Sequence, residues 1–374
     1  MSVATRRTVP YAYLRQQFAD PEPYLEDLRA LALSGDFTLG SAVTEFERRV
    51  TALMGLPFAV GMSSGTDALT LPLVALGVGA GDEVITASNS FIASAGAAAM
   101  AGATPVLVDN LEDFTIDPNA IEAAVTPRTK AIVPVHLTGN MADMPRIMQI
   151  ARRHRLVVVE DAAQAMGATL DGQYAGSWGH AAGVSLHPLK MMNVWGDGGV
   201  TVTTDRTMDA ELRLLRNHGL ASRDDSVRFG YNSRLSSLQA IIANRVIEKL
   251  PAAIAARRQH AAYLDAALAN LAPHVMTPLV RPGVGAVYQT YILRCERRDA
   301  LKEHLLAAGI EVKVHYPKPV HLQTVGQRMG YRPGMLPVAE RHAQTILTLP
   351  MHEYLIEDDL AYMVEQIRDF YRCA

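Results

Sequence analysis

In the stretch Ser185-Leu-His-Pro-Leu-Lys190-Met-Met-Asn-Val-Trp-Gly-Asp-Gly-Gly199, one lysine lies between two apolar runs, at residues 182–186 and 199–203. We predict a buried strand on each side, so that Lys190 is anchored at both ends and crowded by glycines. An amine in such a place loses hydration, stays partly neutral and can form a Schiff base. Most lysines are solvated surface charges, which is the alternative for Lys190. Other parts of the chain must therefore decide between the two.

Short apolar runs predict the strands of one sheet. They occupy residues 58–62, 84–86, 105–108, 130–135, 156–160, 183–186 and 200–203. The runs are rich in β-branched residues and lack polar alternation, which is typical of strands buried on both faces. Helical patterns at residues 66–76, 90–100, 117 onward and 143–153 separate them. This alternation predicts an α/β large domain with a mostly parallel, seven-stranded sheet.

The pattern changes after residue 236. We predict two long helices at residues 236–249 and 252–271, then strands at 288–293 and 311–315. Further helices are expected at residues 299–308, 337–346 and 357–371. We therefore predict a large domain over residues 1–250 and a smaller α+β domain over residues 251–374.

Composition excludes several classes of function. The formal net charge of -3 gives no electrostatic case for binding nucleic acid or an anionic membrane. No apolar stretch reaches the roughly 18 residues of a membrane span, and the first ten residues lack the apolar segment of a signal peptide. Cys295 and Cys373 are too few for a disulfide framework, which favours a reducing cytoplasm. The 12 histidines show no metal-binding spacing, so we expect no metal.

Three groups of polar residues follow predicted strands, where open α/β sheets bind ligands. The first is Ser63-Ser-Gly-Thr66, which opens a helix and is either a phosphate site or a plain N-cap. The second is Glu160-Asp161-Ala-Ala-Gln164. A carboxylate at the end of a buried strand needs a cationic or proton-donating partner, unless it caps a helix. The third group is Ser185 with Lys190.

Nine segments, in this order, carry a resemblance to a known family. They are Gly35-Asp-Phe-Thr-Leu-Gly40, Ser64-Gly-Thr-Asp-Ala-Leu69, Asn89-Ser-Phe-Ile-Ala-Ser94, Glu160-Asp-Ala-Ala-Gln164, the Lys190 stretch, Arg216-Asn-His-Gly219, Gly230-Tyr-Asn-Ser-Arg-Leu-Ser-Ser-Leu-Gln239, Val314-His-Tyr-Pro317 and Leu347-Thr-Leu-Pro-Met-His352. Together they resemble the DegT/DnrJ/StrS family of pyridoxal-phosphate-dependent sugar aminotransferases, which have fold type I. The resemblance covers nearly the whole chain.

The resemblance implies a cofactor site. Lys190 would form the Schiff base with pyridoxal phosphate, and Asp161 would keep the pyridine nitrogen protonated, so that the ring accepts electrons. The other implied contacts are Gln164 with the ring hydroxyl, Phe91 stacked on the ring, and Gly65, Thr66 and Ser185 with the phosphate. Asn232 is similar to an asparagine that reaches the phosphate of the neighbouring subunit, which implies a homodimer with shared active sites.

The resemblance also implies the reaction. An amino acid, usually glutamate in this family, gives its amino group to the cofactor, and pyridoxamine phosphate passes it to a keto-sugar that carries a nucleotide or a phosphate. Lys190 would move the proton as general base and acid. The substrate candidates lie in or next to a matched segment and are His315, Tyr316, Lys318 and His321.

Two departures and three alternatives bear on this interpretation. Residues 191–199 differ from the pattern of many members of the family and are similar to those of members that aminate the sugar 3-position. Ser233 stands where a bulkier residue, often tyrosine, is common in the family. A sugar dehydratase of the same fold would carry histidine instead of Lys190. A non-catalytic regulator would not need Lys190, Asp161 and Gln164 together. An NAD-dependent oxidoreductase is excluded because Gly77-Val-Gly-Ala-Gly81 follows a helix and precedes a strand, the reverse of the required order.

Overall fold

A seven-stranded sheet organises the larger part of the molecule in the computed structural model, which describes residues 7–372. Cys373 and the first six residues lie outside this range. The strands are β1 (Phe58–Met62), β2 (Glu83–Ala87), β3 (Thr104–Val108), β4 (Thr129–Val133), β5 (Val157–Asp161), β6 (Thr169–Leu170), β7 (Gln173–Tyr174), β8 (Ala181–Ser185), β9 (Gly199–Thr203), β10 (Leu220–Ser222), β11 (Asp225–Ser226), β12 (Val275–Met276), β13 (Val284–Gly285), β14 (Tyr291–Cys295) and β15 (Ile346–Leu349).

The large sheet is mostly parallel, and the predicted fold class is confirmed. Its strand order is β1-β9-β8-β5-β4-β2-β3. Strands β3, β2, β4, β5 and β8 run parallel, whereas β9 pairs antiparallel with both β8 and β1. Every residue of β2, β8 and β9 is buried. Each predicted run of the sheet therefore corresponds to a strand, because a strand covered on both faces must be apolar along its whole length.

Helices cover the sheet and build the C-terminal part. They are α1 (Leu14–Gln17), α2 (Glu22–Ser34), α3 (Ser41–Met54), α4 (Gly65–Ala75), α5 (Ile92–Met100), α6 (Pro118–Ala124), α7 (Met144–His154), α8 (Arg206–Leu215), α9 (Ser237–Leu268), α10 (Arg298–Ala307), α11 (Thr324–Arg328), α12 (Pro337–Thr345) and α13 (Glu357–Arg372). Between residues 7 and 372, no helix is long and apolar enough to cross a bilayer.

One long helix, α9, replaces the two helices predicted at residues 236–249 and 252–271, so that prediction is wrong. Pro251 lies inside α9 and interrupts its hydrogen-bond ladder. The helix continues because residues on both sides of the proline are buried in the same core, including Leu250 and Ile254. Further along, Leu264 belongs to a second apolar core with β14 and α13. The domain boundary at residue 251 stays a prediction, and it falls inside this helix.

Two strand predictions in the C-terminal part need correction. Residues 311–315 form no regular strand: Lys313 makes only an isolated bridge to Thr348. The strand predicted at residues 288–293 begins at Tyr291, since Tyr288 has a φ of 49° and leaves the extended conformation.

Candidate functional site

A cavity of about 340 Å³ lies at the carboxyl ends of β5 and β8. This volume suits a small cofactor or substrate. Nine of the residues predicted for the site line it: Gly65, Thr66, Phe91, Asp161, Gln164, Ser185, Lys190, His315 and Tyr316. The sheet therefore brings together side chains that are up to 251 positions apart in the sequence, from Gly65 to Tyr316.

Lys190 lies in the loop between β8 and β9, and its side chain is only partly exposed. Its backbone N–H donates to the carbonyl of His187 at 2.8 Å. Burial lowers the pKa of the Lys190 amine, and the negative charge of Asp161 opposes this effect. Desolvation is the larger cause, so the neutral amine is favoured relative to a surface lysine.

Asp161 is the last residue of β5, and it is 5% exposed. One carboxylate oxygen accepts from the Ser94 hydroxyl at 2.6 Å, and the other accepts from the Ala163 N–H at 3.1 Å. Residues 162–168 form turns, so the interpretation of Asp161 as a helix N-cap is wrong. The buried charge instead has two hydrogen-bond donors and the nearby Lys190 as partners.

The N-terminus of α4 forms a close-fitting cradle with Ser185. Ser64 caps the helix, and its hydroxyl oxygen accepts from the Asp67 N–H at 3.1 Å. A Cβ at Gly65 would lie 2.6 Å from the Cβ of Ser185, so only glycine allows this approach. The first N–H groups of a helix have no intrahelical partner and attract anions. Capping and anion binding are thus compatible here.

This set of groups fits pyridoxal phosphate. A helix N-terminus with Ser185 offers donors for a phosphate, Lys190 offers an amine of reduced pKa for an aldehyde, and Asp161 offers a buried carboxylate for a protonated ring nitrogen. Among residues 7–372, no three side chains of His, Cys, Asp or Glu are grouped so that they could hold a metal ion.

Gln164 and Phe91 both lie next to Tyr316. The Gln164 side-chain carbonyl accepts from the Thr138 N–H at 2.9 Å, and its amide donates to the Tyr316 hydroxyl at 3.5 Å. The Phe91 ring lies 6.0 Å from the Tyr316 ring, between centroids, and is largely exposed. Burial raises the pKa of Tyr316 to about 12.

Three other predicted residues lie outside the cavity lining. The His321 ring is fully buried between the Ser88 hydroxyl at 2.7 Å and the Glu340 carboxylate at 3.0 Å. Lys318 and Asn232 are exposed. By contrast, His315 lines the cavity, and burial together with the charge of Lys190 lowers its pKa to about 4. His315 is therefore neutral at physiological pH.

Comparison of the whole sequence with known families leads to the same kind of site. The sequence pattern of the DegT/DnrJ/EryC1/StrS aminotransferase family matches residues 20–368. The chain belongs to this family. The predicted family, the aminotransferase activity and the cofactor pyridoxal phosphate are confirmed.

Similar proteins within the DegT/DnrJ/EryC1/StrS family span almost the same length. A protein of Geobacillus stearothermophilus named "Pleiotropic regulatory protein" is 42% identical over 97% of this chain and 99% of its own. The dTDP-3-amino-3,4,6-trideoxy-alpha-D-glucose transaminase of Streptomyces venezuelae is 39% identical over 95% and 96%. The crystal structure of S. venezuelae DesV in complex with a ketimine intermediate has a TM-score of 0.94 and 38% identity, over 97% of this chain and 98% of that one.

Sequence reasoning missed several lining residues of this family member. They are Tyr11, Ser94, His187, Asp197 and Gln289, together with apolar neighbours. Ser94 closes a matched segment, and its place one helical turn after Phe91 could have indicated that it faces the same cavity. Tyr11 and Gln289 belong to no chemical motif, and only the packing of distant segments brings them to the site.

Proposed function

We propose that this chain transfers the amino group of glutamate to a nucleotide-linked 3-keto-sugar, in the cytoplasm and as a homodimer. The observation that carries the transaminase chemistry is the single cavity that holds the Lys190 amine, the buried Asp161 carboxylate and the N-terminus of α4. A free thiol at Cys295 is compatible with the proposed compartment.

Bound pyridoxal phosphate supplies an electron-accepting ring that permits the Cα–H bond of an amino acid to break. Asp161 would hold a proton on the ring nitrogen, because its carboxylate is buried at the end of β5 and is oriented by the Ser94 hydroxyl and the Ala163 N–H. Gly65, Thr66 and Ser185 would bind the phosphate, while Gln164 and Phe91 would orient the ring. These contacts would hold the cofactor in place without the bond to Lys190, whose amine could then take part in proton transfer.

Lys190 would accept the proton of the substrate Cα–H bond on its Nζ atom and would later give that proton up again. Burial lowers the pKa of this amine, so it gives up its proton more readily than a surface lysine does, and the negative charge of Asp161 stabilises the ammonium once it forms. His315 and Tyr316 line the same cavity and are neutral near pH 7. They would hydrogen-bond sugar hydroxyls without competing for the proton.

Two observations bear on which keto-sugar accepts the amino group: the name of a relative and the sequence of the loop at residues 191–199. The S. venezuelae transaminase carries a 3-amino sugar linked to dTDP in its name, and it is similar over nearly its whole length. The segment 191–199, with its Gly196-Asp-Gly-Gly199 ending, is similar to that of members aminating the 3-position, and Asp197 lines the cavity. Both observations favour a 3-keto-sugar.

The proposed dimer is supported by a projecting hairpin, β10–β11, and the segment that follows it. Residues 221–229 are exposed throughout, and Phe229 is 100% exposed. Val227, Phe229 and Tyr231 are all exposed large hydrophobic side chains within five positions, and such a group favours a partner surface. Asn232 lies a few positions after Phe229 and is also exposed. An asparagine that reaches the phosphate of a second subunit would be exposed in this way in a single chain.

A mixed dimer of two inactive chains tests the shared site. Lys190→Ala and Asn232→Asp are each expected to be poor as homodimers, the second because a carboxylate would face a phosphate dianion. In a dimer of one chain each, both defects fall on one site and the other keeps Lys190 and Asn232. Activity should recover toward one site in two, measured after co-expression and separation of the mixed dimer by two different tags. If confirmed mixed dimers show no recovery, each site belongs to a single chain.

The function itself is tested by an assay in reverse, from amino-sugar plus 2-oxoglutarate, with sugars aminated at the 3- or 4-position and linked to dTDP or UDP. We expect a yellow holoprotein that forms glutamate with a 3-amino sugar. A yellow protein that turns over only 4-amino sugars would overturn the assignment of the position. A protein that binds a sugar nucleotide but forms no glutamate would favour the regulator.

A further inference from the structure

Side chains, rather than secondary structure, hold Lys190 in place. Residues 186–198 form only turns, bends and irregular chain. Across this loop lies Gln289, which is 8% exposed and lines the cavity. Its side-chain amide donates to the Leu189 carbonyl at 2.9 Å, and its side-chain oxygen accepts from the Met191 N–H at 2.9 Å. One amide thus holds the peptide groups on both sides of the catalytic lysine.

The carbonyl of Lys190 itself is held by two other side chains. It accepts from the Tyr13 hydroxyl at 3.2 Å and from the Asn193 side chain at 2.9 Å. Asn193 is fixed in turn by two hydrogen bonds with Gln17, at 3.0 and 2.9 Å. Every backbone polar group from the Leu189 carbonyl to the Met191 N–H therefore has a partner, and the Lys190 side chain is the part left to move.

A buried arginine ties these two supports together. Arg257 of α9 is 0% exposed and donates to the backbone carbonyl of Gln289 at 3.3 Å. Its guanidinium lies 5.3 Å from the centre of the Tyr13 ring and pairs with Glu353 at 3.1 Å. A buried guanidinium with these partners is costly to displace. Arg257 thus anchors the backbone of Gln289 in the core, and the Gln289 side chain extends from there to the cavity lining.

We propose that Gln289 is a positioning residue, which holds the Lys190 backbone so that the amine stays aligned with Asp161 and with the carbon that gains or loses the proton. The inference rests on the proposed function, in which Lys190 moves that proton. Proton transfer needs the amine within hydrogen-bond reach of the reacting carbon, and a displacement of about 1 Å can lower a rate about 100-fold. A loop of turns without Gln289 would let the amine sample other positions.

The test uses the holoenzyme and compares Gln289→Met with Thr290→Val. Methionine keeps the length and packing of glutamine but makes neither hydrogen bond. Thr290 is adjacent and buried, and its hydroxyl has no hydrogen-bond partner within residues 7–372. Gln289→Met should lower kcat with glutamate about 100-fold with little change in KM, whereas Thr290→Val should match the wild type. Equal losses in both variants would overturn the proposal, because packing alone would then explain them.

A second readout needs no substrate. Cofactor-free protein is mixed with pyridoxal phosphate, quenched with borohydride at set times, and the modified Lys190 peptide is quantified by mass spectrometry. Gln289→Met should capture the cofactor more slowly than Thr290→Val, and a capture rate equal to the wild type would overturn the proposal. If Gln289→Met fails to fold, Tyr13→Phe takes its place, since it removes only the hydroxyl on the Lys190 carbonyl. Normal capture by wild type without turnover of any keto-sugar would instead refute the proposed function alone.

Discussion

Lys190→Ala is expected to lower the turnover rate by several orders of magnitude, while the protein still binds pyridoxal phosphate noncovalently. Loss of positioned proton transfer alone costs about 10²- to 10⁴-fold. The covalent link is lost as well, and both roles fall on one side chain. The folded chain should tolerate the change, because Lys190 lines a cavity and its amine makes no hydrogen bond to any group in residues 7–372. Kinetics with glutamate and the visible spectrum measure both effects.

The control for this substitution is Lys313→Ala. Lys313 is exposed on the C-terminal part of the chain, close enough to influence the pKa of His315 but outside the cavity lining. Its removal should leave the rate and the spectrum close to those of the wild type. After borohydride treatment, the cofactor should be found on the wild type and on Lys313→Ala, but not on Lys190→Ala. Near-normal turnover by Lys190→Ala would refute its assignment.

The sheet could be predicted from the sequence because its strands are buried on both faces. Such strands are marked by continuous apolar runs, and the runs at residues 156–160 and 183–186 place β5 and β8 to within two residues at each end. The long helix α9 could not be predicted, because Pro251 usually ends a helix and only tertiary burial on both sides overrides it. Residues 311–315 have the alternation of a strand, yet they find only an isolated bridge.

The placement of Lys190 and Asp161 at one cavity was predictable for a related reason, whereas the contacts around Lys190 were not. Asp161 ends β5, and Lys190 lies in the loop that follows the neighbouring strand β8, so the sheet geometry places both at the same edge. Gln289 and Tyr13 hydrogen-bond the backbone next to Lys190 from about a hundred positions or more away in the sequence. No periodicity in the sequence indicates such contacts. His321 illustrates the opposite error, because its position in a segment next to matched residues said nothing about a ring that faces Ser88 and Glu340.

Asp161→Asn is expected to slow the half-reaction with glutamate at least about 100-fold, far more than it weakens cofactor binding. An amide keeps the size of the side chain, but it cannot hold a proton on the ring nitrogen by its charge. The ring should then be a poor electron acceptor, while the contacts proposed for Gly65 and Ser185 with the phosphate should be unaffected. Single-turnover kinetics report the rate, and equilibrium dialysis of the cofactor reports its binding.

The same substitution has a consequence that needs no cofactor. Asp161 raises the pKa of Lys190 against the larger effect of burial. Removing this negative charge disfavours the ammonium, so the pKa of Lys190 should fall further, and acylation of its amine in cofactor-free protein should begin at lower pH. Ser94→Ala is the matched control, because it removes one hydrogen bond to Asp161 but keeps the charge, and it should shift that pH dependence less. An unchanged half-reaction with cofactor bound, together with an unchanged pH dependence of acylation, would mean that Asp161 only supports the end of β5.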